Sequence, residues 1–279
     1  MEYSAEFLGS LGQFDAGDWN RVCGGDYPFL RHEFLWGLEK TACTTAETGW
    51  QPCHLVIRRD DELIALMPLY LKSHSYGEYV FDWSWADAWR RSGLEYYPKL
   101  VTAIPFTPAT GPRLCVRAGT DSSAVWPVAL QAIQQFAERQ AISSWHLLFP
   151  EEADSILLLE AGMHRRTATQ FHWFNRGYRS FDDFLGGFSS RKRKNLRRER
   201  NRLSEQGLVL KTHSGSEIGE REWQQFHHFY QLTYAKRSGH GGYLNRAFFT
   251  ETAASMGEQV VMTLAYLGPR AVAGALYFR

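Results

Sequence analysis

The chain has 279 residues, with 31 Lys and Arg against 30 Asp and Glu, and is 44% apolar and 15% aromatic; that supports two cores of ordinary size and excludes a disordered chain. No run of 18 apolar residues occurs, and the start MEYSAEFLGSLGQFDAGDW lacks a basic n-region and an apolar h-region, so neither a membrane span nor Sec export is expected and the cytoplasm is the default. Cys23, Cys43, Cys53 and Cys115 form no C-x-x-C pair, which argues against a zinc site or disulfide framework and for reduced, mostly buried thiols.

In chain order, PFLRHEFLWGLEKTAC (Pro28 to Cys43) reads as an amphipathic helix, followed by two strands, His54 to Lys72, around the turn Asp60-Asp61. Tyr76 to Trp89 reads as a strand with Tyr79, Phe81, Trp83 and Trp85 on one face and Val80, Asp82 and Ser84 on the other. Then come a strand (Gly111 to Arg117), a helix from Ser122, the strand SSWHLLFP, the helix EEADSILLLEAG, and the strands MHRRTAT and QFHWFN (Gln170 to Asn175). Strands and helices alternating at these lengths imply an α/β sheet with helices on its faces.

Ser189 to Arg202 holds eight Lys or Arg against Glu199 alone, a net of +7 in a chain whose total is +1, so the remainder sums to −6 (1 minus 7). As a helix it places Arg191, Lys194, Arg198 and Arg202 in one stripe, with Leu196 and Leu203 as a narrow apolar seam. Ser189 or Ser190 is expected to cap its first turn after Gly186-Gly187. Ser190, Arg191, Lys192, Lys194, Asn195 and Arg198 are therefore candidates for binding a phosphate or carboxylate, with a solvated surface helix as the plain alternative.

GYLNRAFFTETAASMG (Gly242 to Gly257) resembles the Pro28 segment when Phe248 is set on Phe34, an offset of 214 (248 minus 34), and it too leads into a strand, a turn at Gly268-Pro269 and a strand. Helix plus hairpin repeated once means two copies of one domain, at 1–176 and 177–279. The second copy stops at Arg279 on an apolar strand, so it is expected to be truncated and to belong to a longer protein.

The order of helix, hairpin, strand, helix, strand, helix and strand resembles the GNAT acyltransferase fold. LYLKSHSYGEYVFDWSWADAW (Leu69 to Trp89), YYPKL (Tyr96 to Leu100), PFTPATGPRL (Pro105 to Leu114), QFHWFNRGY (Gln170 to Tyr178) and SSRKRKNLRRER (Ser189 to Arg200) resemble the FemAB-like predicted N-acyltransferases of bacteria, described as peptidoglycan biosynthesis or recognition proteins. The resemblance implies tandem GNAT-like domains and transfer of an acyl or aminoacyl group to an amine. The donor it implies is acyl-CoA or aminoacyl-tRNA, with no covalently bound cofactor, and the acceptor a cell-wall precursor. One departure concerns coenzyme A: where GNAT enzymes carry a glycine-rich pyrophosphate loop, this chain reads Arg117-Ala118-Gly119-Thr120-Asp121-Ser122, with one glycine.

Direct attack of an amine on an activated acyl carbon needs a base, oxyanion donors and a positioning wall. Asp82, among the aromatic residues Phe81, Trp83 and Trp85, is the candidate base, its pKa expected to be raised by burial. Tyr243 is the candidate acid toward the leaving group, with packing as its alternative. Tyr76, Glu78, Trp83, Trp85, Lys99 and His172 are the candidate substrate-binding residues, His172 with Asn175 at a strand end. Partners expected are a small-molecule or nucleotide-linked anionic substrate and tRNA. The second functional class is a non-catalytic polyanion-binding module built on the basic helix 189–202.

Overall fold

The computed structural model describes residues 2–279. The chain begins β1 (Tyr3–Leu8), α1 (Ala16–Cys23), α2 (His32–Lys40), β2 (Trp50–Pro52), β3 (His54–Arg59), β4 (Glu62–Met67), β5 (Tyr70–Lys72) and α3 (Trp83–Arg91). It continues through β6 (Lys99–Thr102), β7 (Cys115–Val116), α4 (Ser122–Arg139), β8 (Trp145–Leu147), α5 (Glu152–Glu160), α6 (Phe181–Gly186) and α7 (Ser190–Glu205). Last come β9 (Leu208–Ser214), α8 (Glu220–Ser238), α9 (Arg246–Met256), β10 (Val260–Leu267) and β11 (Arg270–Phe278).

The architecture is mixed α/β, with sheets flanked by helices. One sheet is antiparallel in the order β1-β3-β4-β7, and a second runs β2-β5-β6-β8 with β6 and β8 parallel. The β3–β4 hairpin turns on Asp60 (φ 48°) and Asp61 (φ 68°), two left-handed residues of the kind a tight right-twisting hairpin needs. Its strands are buried on both faces. Leu55, Ile57 and Met67 pack under α4 with Trp126, Ala129 and Ile133, while Val56 and Leu66 face α1 and α2 with Trp19, Leu35 and Leu38. The third sheet, β11-β10-β9, lies in the C-terminal part.

The order β1-α1-α2-β3-β4 recurs as β9-α8-α9-β10-β11, with the same antiparallel pairing. The sequence repeat falls on α2 and α9, and these two helices pack against each other. Phe34 and Phe248, the residues the repeat equates, meet edge to face at 5.6 Å and 89°. Gly37 sits where a Cβ would come within 2.4 Å of Thr252 Oγ1, so only glycine permits this approach. Contact between equivalent residues is the mark of a two-fold-like arrangement. The Phe34, Phe248, Phe249, Val56, Met262 and Leu264 side chains form one core across it.

Three expectations fail locally. Residues 76–89 are not a strand: Gly77, Tyr79 and Phe81 are left-handed (φ 81°, 60° and 51°), and helix α3 begins at Trp83. A strand cannot be carried through three such residues. Residues 163–175 form no strand either; they run as exposed irregular chain, with Phe171 wholly exposed. Their alternation suits a strand, but they meet no sheet edge among the described residues, and a strand without a partner leaves its ladder unpaired. Ser189 stands at the N-cap of α7 but makes no side-chain cap bond, and Ser190 Oγ instead accepts from Arg193. Among the described residues, no helix is long and apolar enough to cross a membrane.

Candidate active site

Two buried lysines face each other across adjacent strands. Lys72 on β5 and Lys99 on β6 are register partners, both fully buried. The loop from β5 to α3 folds back over them and supplies Ser75, Glu78 and Asp82. Lys99 Nζ donates to Ser75 Oγ at 2.8 Å, Glu78 Oε2 at 2.8 Å and Asp82 Oδ2 at 2.6 Å, which uses all three of its donors. Tyr96 donates to the same Asp82 oxygen at 2.6 Å, and Tyr97 pairs with Ser75 at 2.8 Å. Lys72 Nζ lies 3.7 Å over the Trp50 ring and donates to the Tyr76 carbonyl at 3.3 Å. Buried charges of this number persist only when paired.

Titration follows from that packing. Burial alone would raise the Asp82 carboxyl, but the bonds from Lys99, Tyr96 and Ser75 outweigh it and hold the pKa down to about 2. Asp82 is thus a fixed anion, and the raised pKa expected of a base is not found. Burial raises Glu78 against the pull of Lys99, and its Oε1 is buried without a partner, as is Asp82 Oδ1. Burial, with repulsion from Lys99, lowers Lys72 to about 7. On β8, burial and then Lys99 lower His146 to about 4, so its half-buried imidazole is neutral at pH 7. Lys72, Tyr96 and His146 were not expected as site residues. For Lys72 and His146 the only trace in the sequence is a lysine or histidine inside an apolar strand, and Tyr96 appears only within the motif YYPKL.

The C-terminal part of the chain reaches this loop through tyrosines. Tyr79 and Tyr234 pair hydroxyl to hydroxyl at 2.6 Å. Tyr243 stacks on Phe106 at 4.9 Å and 9°, and Phe106 fills the space beside Gly77 that a Cβ would need. Burial, then the Tyr234 hydroxyl, raise Tyr243, so it keeps its proton. Tyr230 accepts from the Tyr243 and Leu244 backbone N–H groups at 2.9 and 3.0 Å, tying the glycine-bearing turn 239–244 to α8.

Of the expected substrate-binding residues, Glu78 and Lys99 are in the cluster, and Tyr76, Trp83 and Trp85 lie on its outer surface. Tyr76 contacts Trp83 at 4.9 Å, and Trp85 lies under the Arg166 guanidinium at 5.4 Å. His172 is elsewhere: it sits in the exposed chain 163–175, bonded to Gln170 at 3.0 Å and stacked on Phe174. Asn175 does not sit at a strand end but accepts from Gly177 and Tyr178 in its own turn.

Helix α7 buries none of its residues. Arg193 donates to the Phe188 carbonyl, Arg197 pairs with Asp182 at 2.9 Å, and Arg200 lies over Phe181. Among the described residues, no carboxylate pairs with Arg191, Lys192, Lys194, Arg198 or Arg202. Before α4, Asp121 caps the helix by accepting from Ser123 N at 2.9 Å.

No curated protein matches the chain. Solved structures with similarity include FemX, at 14% identity and a TM-score of 0.45 over 96% of this chain, which spans 58% of FemX. The aminoglycoside 6'-N-acetyltransferase AAC(6')-Ih of Acinetobacter baumannii is 15% identical, with a TM-score of 0.37 over 63% of this chain and all of that one. The ribosomal-protein-alanine N-acetyltransferase of Brucella melitensis biovar Abortus 2308 is 11% identical, with a TM-score of 0.39 over 62% of this chain and all of that one. The family model for FemAB-like proteins, described as peptidoglycan biosynthesis/recognition, matches residues 10–279. The chain belongs to the FemAB-like peptidoglycan biosynthesis/recognition family.

Proposed function

We propose that this protein is an N-acyltransferase that moves an acyl or aminoacyl group onto an amine of a cell-wall precursor. The observation that carries this reading is the buried Lys99–Glu78–Asp82 cluster, under a loop whose Gly77 packs on Phe106, the ring on which Tyr243 stacks. The acceptor amine attacks the acyl carbon directly, so the nitrogen gives up one proton and the departing thiolate or alkoxide takes one. Glu78 is the better-suited proton acceptor, because its pKa is raised and one oxygen is unpartnered. Asp82 fixes Lys99 and Tyr96 in place as their counter-ion. Tyr243, kept protonated, donates to the leaving group. Trp83, Trp85 and Tyr76 form the outer wall.

Aminoacyl-tRNA fits better than acyl-CoA as the donor, because the Asp121 carboxylate at the α4 N-terminus repels a pyrophosphate there. In this reading Arg191, Lys192, Lys194 and Arg198, with Ser190 and Asn195, receive phosphates of the donor or of a nucleotide-linked acceptor. The test is incubation of the protein with isotope-labelled acyl-CoAs and aminoacyl-tRNAs and with amine-bearing wall precursors. Label is expected in a new amide bond, and its loss in Glu78→Gln. No transfer from either donor removes the reading.

The unpaired cations of α7 favour a second reading, a polyanion-binding module without catalysis. Its signature is affinity that falls steeply with salt, and a flat salt response removes it.

A further inference from the structure

A surface cavity of about 440 Å³ lies between α3 and the chain that follows it, and Trp83, Asp87, Arg90, Glu95, Tyr96 and Tyr97 are among the residues that line it. Two of these also belong to the buried cluster. Tyr96 donates to Asp82 Oδ2 at 2.6 Å, and Tyr97 pairs with Ser75 at 2.8 Å, so the cavity and Lys99 share one tyrosine wall. A group held in the cavity is separated from the cluster only by that wall.

Charge decides what the cavity takes. Asp87 and Arg90 answer each other at 2.5 Å, and Arg91 reaches the second Asp87 oxygen at 3.1 Å, so neither Asp87 nor Arg90 is left for a ligand. Glu95 is exposed, and among the described residues no cation pairs with it. Behind the wall, Glu78 and Asp82 share the Lys99 ammonium, so the buried groups add no net positive charge even with Lys72 protonated. Arg90 and Gly93 place the C-terminal end of α3 at the cavity, and a helix end of that polarity favours a cation. The rings of Trp83, Tyr96 and Tyr97 add to this, because an aromatic face attracts a cation and packs on an aliphatic stem. An anion would meet Glu95 with no free cation to hold it.

We propose that this cavity is the acceptor subsite and takes a primary ammonium carried on an aliphatic stem, with Glu95 pairing the ammonium and Trp83, Tyr96 and Tyr97 packing the stem. Its role as acceptor subsite rests on the transfer reading, whereas its binding does not and is measured without any donor. The probe is Nα-acetyl-lysine methylamide, followed by tryptophan emission and saturation-transfer NMR, with the neutral norleucine and anionic glutamate analogues as comparators. The lysine probe is expected to bind about tenfold more tightly than the norleucine analogue, and the glutamate analogue not to bind. Glu95→Gln and Trp83→Ala should each weaken the lysine probe by about fivefold. Both side chains are exposed, so an unchanged circular dichroism spectrum confirms that the variants fold.

The proposal is overturned if the lysine probe does not bind, if the norleucine analogue binds as well, or if either variant binds the probe as the wild type does. Transfer whose KM for the acceptor is unchanged in Glu95→Gln also overturns the subsite while leaving the transfer reading in place. Probe binding that is weakened in both variants, with no transfer from any donor, supports an ammonium site and removes the transfer reading alone.

Discussion

Helix α7 and the Lys99 cluster are both collections of charge, yet they obey different physics. In α7 the cations stand in water, where they are screened by salt and cost the fold almost nothing. Around Lys99 a few charges are withdrawn from water, and each must be answered by a partner or stay neutral. The conspicuous run SSRKRKNLRRERNR is therefore an exposed cationic face. The inconspicuous residues Lys72, Glu78, Asp82 and Lys99, scattered over three segments, govern what it can hold and titrate.

The largest effect that tests this contrast is the removal of Lys99. Lys99→Met leaves Glu78 and Asp82 buried without their cation, and a loss of about 3–5 kcal/mol in denaturant unfolding is expected. A loss below about 1 kcal/mol would place the cluster in the same weak regime as α7.

Acid titration reads the same cluster. Because the Asp82 pKa is lower folded than unfolded, the unfolded state binds more protons near it. Its stabilisation is complete above the ordinary carboxylate pKa of 3.8 and is lost as pH falls toward about 2. Asp82→Asn should remove that part of the acid transition. An unchanged acid limb would show that Asp82 is not held by Lys99 in solution.

Lys72 gives a slope of the same sign at higher pH, but here the charged form is the one that burial disfavours. Its pKa falls from 10.5 to about 7 on folding, so the unfolded state binds more protons between these values and stability rises with pH across that window. Lys72→Met should flatten this rise and raise stability at pH 7. A wild-type curve without the rise would mean that the lysine is solvated.

The smallest effect belongs to α7. Arg191→Glu, Lys194→Glu, Arg198→Glu should shift unfolding by about 0.5 kcal/mol or less while abolishing affinity for an immobilised polyanion such as heparin. A strong destabilisation would show that this helix packs after all, and unchanged affinity would return it to solvated surface.

Sequence periodicity identified the helices and hairpins that carry strong local signals. α2, α9, α4 and both hairpins fall where the patterns place them, because an amphipathic stripe and a two-residue Asp or Gly turn are local properties. The aromatic stretch 76–89 misled because its alternating aromatics carry a strand period, while the fold makes residues 83–91 a helix. Left-handed Tyr79 and Phe81 are imposed by the fold over Lys99 and Phe106, and nothing in their own chemistry announces them. Residues 163–175 misled for a related reason, since a strand exists only with a neighbouring edge.

Charge, composition and the repeat at offset 214 are properties of the chain itself, and they pointed to an α/β protein with a repeated helix and hairpin and a cationic helix ahead of the second hairpin. Tertiary structure alone decided that Lys72 and Lys99 face each other across adjacent strands, that Glu78 and Asp82 close over them, and that Phe34 meets Phe248. It also decided that the Asp82 carboxyl is held well below its ordinary range instead of being raised by burial. The physical reason is desolvation: a carboxylate's pKa depends on which groups replace its water, and those groups are distant in the chain.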